Sequence, residues 1–471
     1  MENSAIPIVP TRKAIAGEWI AGGSIAGDWR AGDMAPRLVD GTAGATPALF
    51  VDSPNMDLPI ITCLEFADEP VRELCFPRKT MVVRQGLGSG LTRGADGRFW
   101  AVGDRGPNLK LKLAIETYGL DALREGASKS AKMMPALEVG PAMAELRVDE
   151  GQLEDGWVED GRVEIVRLIP LAGGDGRPLS GLPTPGSANG LREPALDSDG
   201  RLHAPDPGGV DSEGIAAAPD GSFWIGDEYG PSLLRVDGAG RVLCRWVPEG
   251  EEATVAGAPY PCAALLPAIA ALRQVNRGFE ALAISPDGSR LHLAFQSPLA
   301  HPDVAAHEAA RHVRLWTLDA ADGSLIAQYA YPLDSPETFR RDLAEGRAER
   351  SDVKVSEMAA IGAERLLILE RVSATTKIYA VTLGLDRRLG EEQIRVETRP
   401  TLEQRSAGEE FGLPVLDKRL LFDSDNHREV GCDLEGMAVI DNRTLLLVND
   451  NDFGIEDVRT RFWKVAFSEP F

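Results

Sequence analysis

Residues 211–228 read DSEGIAAAPDGSFWIGDE, in which a glutamate is followed by a short apolar run, a Pro-Asp-Gly turn and a second apolar run. Apolar and aromatic runs of this length around such a turn are typical of two antiparallel strands. The stretch therefore predicts a β-hairpin whose open ends are acidic, with Glu213 on one strand and Asp227 and Glu228 on the other.

The same pattern returns at three more places along the chain. They are GFEALAISPDGSRLHLAFQSPL (278–299), VSEMAAIGAERLLILERVSATTKIYAVTL (355–383) and DLEGMAVIDNRTLLLVNDNDFG (433–454). Their leading glutamates, Glu280, Glu357 and Glu435, follow Glu213 at intervals of 67 to 78 residues. A fifth unit, SGLTRGADGRFWAVGDRGPN (89–108), has the turn and the second run but no leading glutamate. Similarity at a regular period indicates a repeat architecture.

Each repeat predicts four short strands. Beyond the hairpins, strands are expected at 143–148, 163–169, 233–237, 242–247, 312–318, 325–331, 376–383, 393–397 and 461–467. Four strands per repeat, at a period above the ~40–45 residues of a minimal blade, predict an all-β fold, a β-propeller with insertions. The last unit shows three strands, and Ile60–Phe66 is predicted to supply the fourth, which closes the ring and removes an exposed edge. Five blades are visible, and a degenerate sixth in 401–428 stays open.

The chain is predicted to hold one structured domain. Residues 1–58 are rich in Ala and Gly without periodicity, which predicts a loosely ordered leader, and residues 59–471 form the propeller. The excess length of the repeats is assigned to insertions, helical in character at 110–135, 263–273 and 336–350.

Composition excludes several classes of partner. Fifty Lys and Arg stand against 73 Asp and Glu, a net charge of −23, whereas nucleic-acid binding depends on cations that release counterions. Nucleic acid is therefore not a predicted partner, and a phosphate-rich ligand would need a bound cation. No apolar run approaches the ~20 residues of a membrane span, so no membrane is predicted either. The N-terminus lacks a basic segment followed by an apolar one, which predicts a cytoplasmic protein.

The repeated acidic residues predict a metal site. First strands of blades line the central channel, and a hairpin brings its two open ends together, so both sets of strand ends are expected at one mouth of the channel. Crowded carboxylates repel one another, and calcium, which takes six to eight oxygen ligands, would compensate them. No His or Cys recurs at these positions, which disfavours zinc, iron and copper. The predicted calcium ligands are Asp104, Glu213, Glu280, Glu357, Glu435, Asp450, Asn451 and Asp452.

A second interpretation needs no metal. Each repeated glutamate would form an ion pair or accept backbone amides within its own blade, with Arg105 and Arg371 as partners. The sequence leaves both interpretations open. It shows no GxSxG motif before a helix, so a serine hydrolase is not supported.

Four blocks together resemble the phytase-like family described as "esterase-like activity of phytase". They are GDRGPN (103–108), DSEGIA with DGSFWIGDEYGP (211–231), NRGFEALAISPDGSRLHLAFQSPL (276–299) and DLEGMA with VNDNDFG (433–454). The resemblance covers roughly residues 75–467 and implies a bacterial, hydrolase-like propeller, often exported, with an acidic ligand face. Its motif positions correspond here to Asp104, Arg105, Glu213, Asp227, Glu228, Glu280, Glu435, Asp450, Asn451 and Asp452. The fourth repeat departs from the pattern, since it reads SEMAAIG around Glu357.

These observations lead to one main functional hypothesis and two alternatives. The main one is a calcium-dependent hydrolase of small-molecule esters, phosphoesters among them, with Glu228 or Asp227 as general base and Arg105 binding an anionic group of the substrate. A lactonase or carboxylesterase on the same axis is the close variant. The other alternative is a non-catalytic propeller that calcium stabilises and that binds a partner.

Overall fold

In the computed structural model, the described residues are 58–124, 128, 130–149, 151, 153–154, 157–158, 161–186, 193–346, 348–408 and 410–471. The predicted leader lies outside these residues except for Leu58, so the leader and its boundary stay predictions. No helix in the described part of the chain is long and apolar enough to cross a membrane.

The repeats fold as five blades of four antiparallel strands each. Blade 1 contains Gly90–Arg93, Phe99–Gly103, Ala142–Asp149 and Arg162–Pro170; blade 2 Ser212–Ala217, Phe223–Asp227, Ser232–Val236 and Val242–Pro248; blade 3 Phe279–Ile284, Arg290–Phe295, His312–Asp319 and Leu325–Pro332; blade 4 Lys354–Ala360, Arg365–Arg371, Thr376–Thr382 and Lys418–Asp423; blade 5 Leu434–Asp441, Thr444–Asn449, Phe462–Ala466 and Ile60–Phe66. In blade 2, Cys262–Leu266 adds a fifth strand, parallel to the fourth.

The first strands of the five blades surround a common axis. Each contacts the first strands of the blades before and after it, and the first strand of blade 5 contacts that of blade 1. This arrangement confirms the predicted all-β propeller. Residues 401–428 hold a short helix, Leu402–Ala407, and the outer strand of blade 4, so within the described residues they do not form a sixth blade.

Blade 4 also corrects one strand prediction. Its fourth strand was expected at 393–397, where the structure has the 3₁₀ helix Glu391–Ile394. The outer strand is instead Lys418–Asp423, which pairs with Thr376–Thr382 after a long insertion.

The outer strand of blade 5 comes from the other end of the sequence. Ile60–Phe66 pairs antiparallel with Phe462–Ala466, and its last two residues also pair in parallel with Arg162 and Val163 of blade 1. The ring of Phe66 packs edge-on against that of Phe462, with centroids 5.2 Å apart. This strand therefore covers the backbone edge that Phe462–Ala466 would otherwise expose.

Insertions between the strands carry the remaining elements. The short strands are Pro70–Cys75, Thr80–Arg84, Leu109–Lys110, Lys132–Met133, Leu153–Glu154, Trp157–Val158 and Ala195–Leu196; the α-helices are Leu111–Tyr118, Val304–Ala309, Arg340–Ala344 and Leu402–Ala407. The 3₁₀ helices are Asp121–Arg124, Glu252–Val255, Ala268–Leu272, Pro336–Thr338, Arg350–Asp352, Leu385–Arg387, Glu391–Ile394, Ser424–Asn426 and Asp452–Asp457.

In blades 2, 3, 4 and 5, a β-bulge at the start of the first strand determines which residue has no partner on the second strand. In blade 3, Phe279 pairs with Phe295 and Ala281 with Ala294, so Glu280 has no partner across the sheet. In blade 5 the same shift leaves Glu435 unpaired. A bulge inserts one extra residue and re-aims its side chain.

The bulge of blade 4 leaves Ser356 unpaired instead of Glu357. Val355 pairs with Glu370 and Glu357 with Leu369, so Glu357 occupies the level that Ala281 occupies in blade 3. The predicted ring of four equivalent glutamates is therefore wrong for Glu357, which lies one residue deeper in the channel. Aligning the repeats on their glutamates hides this one-residue offset, because the sequence does not show where the bulge lies.

At this deeper level the other blades carry only small residues: Gly90, Gly214, Ala281 and Gly436. A Cβ at Gly90 would lie 2.5 Å from the carbonyl oxygen of Glu213, so that position has no room for a side chain. The Glu357 carboxylate uses this space and accepts the amides of Leu91 in blade 1 and Met358 in blade 4, both at 2.9 Å. Glu357 thus connects the inner strands of blades 1 and 4. The metal-free interpretation anticipated that it accepts backbone amides, but only within its own blade.

Replacing Glu357 with alanine is expected to destabilise the propeller without changing its response to calcium. The amides of Leu91 and Met358 would lose their acceptor, and an unsatisfied buried amide costs about 1–3 kcal/mol. Thermal unfolding should show the same drop in calcium and in chelator. The control is Glu364→Ala, because Glu364 is half-exposed and its ion pair with Arg290 is worth at most about 1 kcal/mol. Equal melting temperatures of the two variants would contradict this role.

Truncation tests the outer strand of blade 5. Removal of residues 1–57 is expected to leave the melting temperature of the propeller unchanged, whereas removal of residues 1–67 deletes Ile60–Phe66 and exposes the edge of Phe462–Ala466. The longer truncation should lower the melting temperature and promote aggregation, which light scattering would detect. Two truncated proteins of equal stability would show that the strand is dispensable.

Candidate functional site

The ends of first and second strands meet at one end of the channel, here called the acidic mouth. Each of its carboxylates either interacts electrostatically with another carboxylate of the set or shares an arginine partner with one. They belong to Asp104, Asp211, Glu213, Glu228, Glu280, Asp433, Glu435, Asp450 and Asp452. The predicted convergence of the strand ends is therefore what the structure shows.

Three of these carboxylates form a compact triad. Oxygens of Asp104, Asp211 and Glu213 all lie within 4.8 Å of one another, and all three residues are buried. One oxygen of Asp211, Oδ2, is buried, and Arg105 Nη1 lies 3.2 Å from it without forming a hydrogen bond. Asp211 was not among the predicted ligands, although it stands two residues before Glu213, as Asp433 stands two residues before Glu435.

Burial and mutual repulsion make ionisation of the triad unfavourable. Burial raises the pKa of Glu213 well above its usual value, and the charges of Asp104 and Asp211 raise it further. Burial also raises the pKa of Asp211, although Arg105 opposes this shift. A bound cation would favour the charged carboxylates, so the triad has the electrostatics of a cation site.

Asp227 and Glu228 are neighbours with different environments. Asp227 pairs with Arg245, accepts the hydroxyl of Ser232 at 2.8 Å and accepts the amides of Asp211 at 3.1 Å and Tyr229 at 3.2 Å. Glu228 is also buried, but its Oε1 has no hydrogen-bond partner. Asp227 therefore holds the backbone of the site in place, and the geometry favours Glu228 over Asp227 as a general base.

The pKa of Glu228 is raised well above its usual value, first by burial and then by the charges of Glu280 and Asp211. Arg277 and Arg105 oppose the shift. A carboxylate with a raised pKa is a stronger base once ionised, which suits proton abstraction near neutral pH.

Arg105 is enclosed by side chains of the protein. Its Nη1 donates to Glu193 at 2.6 Å and lies 3.2 Å from Asp211, and its Nη2 donates to Asn276 at 2.9 Å. The predicted contact of Arg105 with an anionic substrate would compete with these bonds. The structure instead gives Arg105 the geometry of a counter-charge that orients the triad.

Two further predicted metal ligands are bound within the protein. Glu435 pairs with Arg371, which also donates to Ser356 at 2.8 Å and pairs with Asp433 at 3.1 Å. The side-chain oxygen of Asn451 accepts the amide of Phe453 at 2.9 Å, and its nitrogen donates to the carbonyl of Gln85 and to Thr460. Glu435 thus forms an ion pair with Arg371, as the metal-free interpretation proposed, although Arg371 belongs to the neighbouring blade. Asn451, which that interpretation did not include, is bound by contacts of its own.

Asp450 and Asp452 lie on a strained loop at the mouth. Asp452, Phe453, Glu456 and Asp457 all have positive φ, between 46° and 67°. Strain of this kind persists where the surrounding structure enforces it, and it often marks functional sites. Burial and the charge of Asp452 raise the pKa of Asp450 to about 7.

Cations at the mouth are more numerous than the sequence analysis anticipated. Besides Arg105 and Arg371, the structure brings in Lys132, Arg277 and Lys354. Arg277 and Lys354 each stand three residues before a repeated glutamate, so the sequence carries a signal for these two cations. These cations offset part of the negative charge of the mouth, in which carboxylates remain in excess.

A cavity of about 460 Å³ lies at the other end of the channel. Leu91, Leu282, Met358 and Met437 contribute to its lining, which contains no carboxylate side chain. A smaller cavity of about 120 Å³ adjoins Glu193 and Tyr229 beside the mouth. The groups able to hold a cation or move a proton are at the mouth, so we place the site there in spite of the cavity sizes.

Asp450→Asn is expected to change the pH dependence of stability in chelator. The folded pKa of about 7 lies above the unfolded value of about 3.9, so ionisation destabilises the folded wild type as pH rises between these values. Asparagine cannot ionise, and the melting temperature of the variant relative to wild type should therefore increase across this range. Asp441→Asn, at an exposed turn, is the control and should show a constant difference. A constant or falling difference for Asp450→Asn would contradict the buried, crowded setting of this carboxyl.

Several known proteins are similar to this chain. An uncharacterized secreted protein from Arthroderma benhamiae is 28% identical over 232 residues, which cover 43% of this chain and 40% of that protein. The match thus spans well under two thirds of the relative's length.

Among solved structures, the PQQ-bound aldose sugar dehydrogenase from Streptomyces coelicolor is 11% identical with a TM-score of 0.32, and 88% of this chain aligns with 99% of that one. A gluconolactonase from Xanthomonas campestris is 9% identical with a TM-score of 0.31, and 88% of this chain aligns with 98% of that one. Similarities this low carry no argument about function.

The family comparison covers most of the propeller. The family described as "Phytase-like: Esterase-like activity of phytase" matches residues 84–453, which include all five first strands and the acidic mouth. This match confirms the resemblance seen in the sequence and supports a hydrolase-type function. The chain belongs to the phytase-like family.

Proposed function

We propose that this propeller is a calcium-dependent hydrolase of esters, phosphoesters among them, and that it acts at the acidic mouth. Family membership supports the hydrolase class, while the metal and the phosphoester belong to the proposal. The observation that carries it is the triad of Asp104, Asp211 and Glu213, three buried carboxylates with oxygens within 4.8 Å.

The chemistry of the triad fits calcium. Its donors are carboxylate oxygens, the ligands that calcium prefers, and all three belong to buried residues. Asp104, Asp211 and Glu213 would hold the ion. Glu280 Oε2 and Glu228 Oε1 are also buried without partners, which leaves nearby oxygens for substrate or water.

Different residues around the triad have different roles in the proposed hydrolysis. Bound calcium would polarise an oxygen of the substrate and add positive charge to a strongly acidic site. Glu228 accepts a proton from the attacking water through its unpartnered oxygen. Asp227, held by Arg245, fixes the backbone amides of Asp211 and Tyr229, and so positions the triad relative to Glu228.

Anionic esters suit the site better than neutral ones. Arg277, Lys354 and Arg371 stand beside the carboxylates, so a phosphate or carboxylate group would meet cations as well as the metal. We also propose that the protein is exported, since a relative is described as secreted. Calcium sites in extracellular modules are often weak, and a three-carboxylate site fits that setting.

Calcium binding is tested with a thermal shift. Calcium at a hundredfold excess over Kd should add about 2.7 kcal/mol to the free energy of unfolding, relative to chelator. Asp211→Asn removes a charge from the triad and should abolish most of this shift, while Asp441→Asn, at an exposed turn, should retain it. Identical melting of the wild type in calcium and chelator would rule out the site.

Hydrolysis is tested with phosphate esters, lactones and p-nitrophenyl esters, each with calcium and with chelator. Glu228→Gln keeps the shape but loses the charge, and it should lower turnover by about 10²–10⁴-fold with little change in melting temperature. Glu364→Gln, half-exposed and outside the mouth, is the matched control and should be fully active. If calcium raises the melting temperature but no ester is hydrolysed, the result would contradict the hydrolase and favour the alternative of a non-catalytic propeller that calcium stabilises.

A further inference from the structure

The cations named above at the acidic mouth differ in how they are bound. Arg105 and Arg371 each pair with carboxylates, as described above. Lys132 donates to Asn108 at 3.1 Å and lies 3.8 Å from Glu193, and Arg277 donates to the side chain of Gln296. Lys354, by contrast, makes no side-chain hydrogen bond or ion pair to any residue that the structure describes.

Lys354 is nevertheless half-buried and surrounded by charge. It stands directly opposite Arg371 across the sheet of blade 4, at the start of the first strand. The charges that act on it are Arg371 of its own blade, Arg277 and Glu280 at the first strand of blade 3, Glu228 after the second strand of blade 2, and Asp452 in the loop of blade 5. An amine held among these groups without a partner is free to contact a ligand.

We propose that Lys354 donates the proton to the leaving oxygen when the ester bond breaks. This inference rests on the proposed hydrolase function and adds the general acid to it. Lys354 begins the first strand of blade 4 opposite Arg371, which pairs with Asp433 and Glu435 of the mouth. The charge of Glu228, whose Oε1 is unpartnered, acts on Lys354, so an acid and a base stand at the same mouth.

The step balances without any further reactant. The water oxygen forms a bond to the acyl carbon or phosphorus, and Glu228 takes one proton of that water. The bond to the leaving oxygen breaks, and the Lys354 ammonium gives that oxygen a proton, so that an acid and an alcohol are released. Glu228 then holds the proton that Lys354 lost, and its return through solvent restores both groups.

The setting of Lys354 supports this role. Burial lowers its pKa to about 7, helped by Arg371 and Arg277 and opposed by Glu280 and Glu228. A proton donor works best with a pKa near the working pH. Arginine, in contrast, stays protonated and cannot donate in this range.

The test compares esters that share one acyl or phosphoryl group but differ in leaving group. A p-nitrophenolate leaves without a proton, whereas an alkoxide needs one. Lys354→Arg keeps the positive charge and is expected to lower calcium-dependent turnover of alkyl esters by about 10²–10⁴-fold, while p-nitrophenyl esters are hydrolysed almost as in the wild type. Wild-type turnover of alkyl esters should fall above about pH 7, because Lys354 then loses its proton, and this fall should be absent from the variant.

Controls separate this inference from the function on which it rests. Lys112→Arg, on the exposed side of a helix, should match the wild type with every ester. The calcium-induced melting shift of Lys354→Arg shows whether the variant is folded. An equal loss on alkyl and p-nitrophenyl esters, or no loss on either, would overturn the proton-donor role while the hydrolase stands. A wild type that hydrolyses no ester in calcium would instead overturn the proposed function itself.

Discussion

The acidic mouth follows from one electrostatic constraint. Five hairpins bring the ends of their strands to a common axis, and buried carboxylates that meet there must each find a compensating charge or keep a proton. The structure compensates some of them from within: Glu435 with Arg371, Asp227 with Arg245, and Glu357 with backbone amides. The triad is compensated in part, since Arg105 lies near Asp104 and Asp211 but is shared with Glu193, and Glu228 Oε1 has no hydrogen bond. The difference between these two groups separates the framework of the site from its candidate chemistry.

Much of the fold could be predicted from the sequence because the propeller is built from local hairpins. Pro-Asp-Gly turns mark the hairpins of blades 2 and 3, and other polar turns mark the remaining ones. Ile60–Phe66 is a strand with the bounds that the apolar pattern indicates. The fourth strand of blade 4 was missed, because the insertion before Lys418–Asp423 contains a stretch, 393–397, with an equally strand-like pattern. Local pattern cannot decide which of two such stretches completes a sheet.

The site was harder to predict than the fold. The convergence of acidic strand ends follows from topology, but the partner of each carboxylate depends on register. A one-residue shift of the bulge places Ser356 where other blades have a glutamate, and it moves Glu357 into the channel. In the same way, Asn451 reads as a ligand in the sequence, yet its amide group binds Phe453, Gln85 and Thr460. Such contacts between distant segments leave no periodic signal.

The position of Glu357 has a consequence for the whole channel. Leu91 and Met358, whose amides it accepts, also line the cavity of about 460 Å³ at the other end, so its carboxylate lies at the level where that cavity begins. Small residues at this level in the other blades bring the backbones close together, and the one long side chain occupies the space that they leave. Protein atoms at this level therefore separate the acidic mouth from the cavity at the other end of the channel, and the carboxylates of the mouth are poorly solvated. Poor solvation strengthens both the repulsion among the carboxylates and their attraction for a cation, because the effective dielectric constant falls with burial.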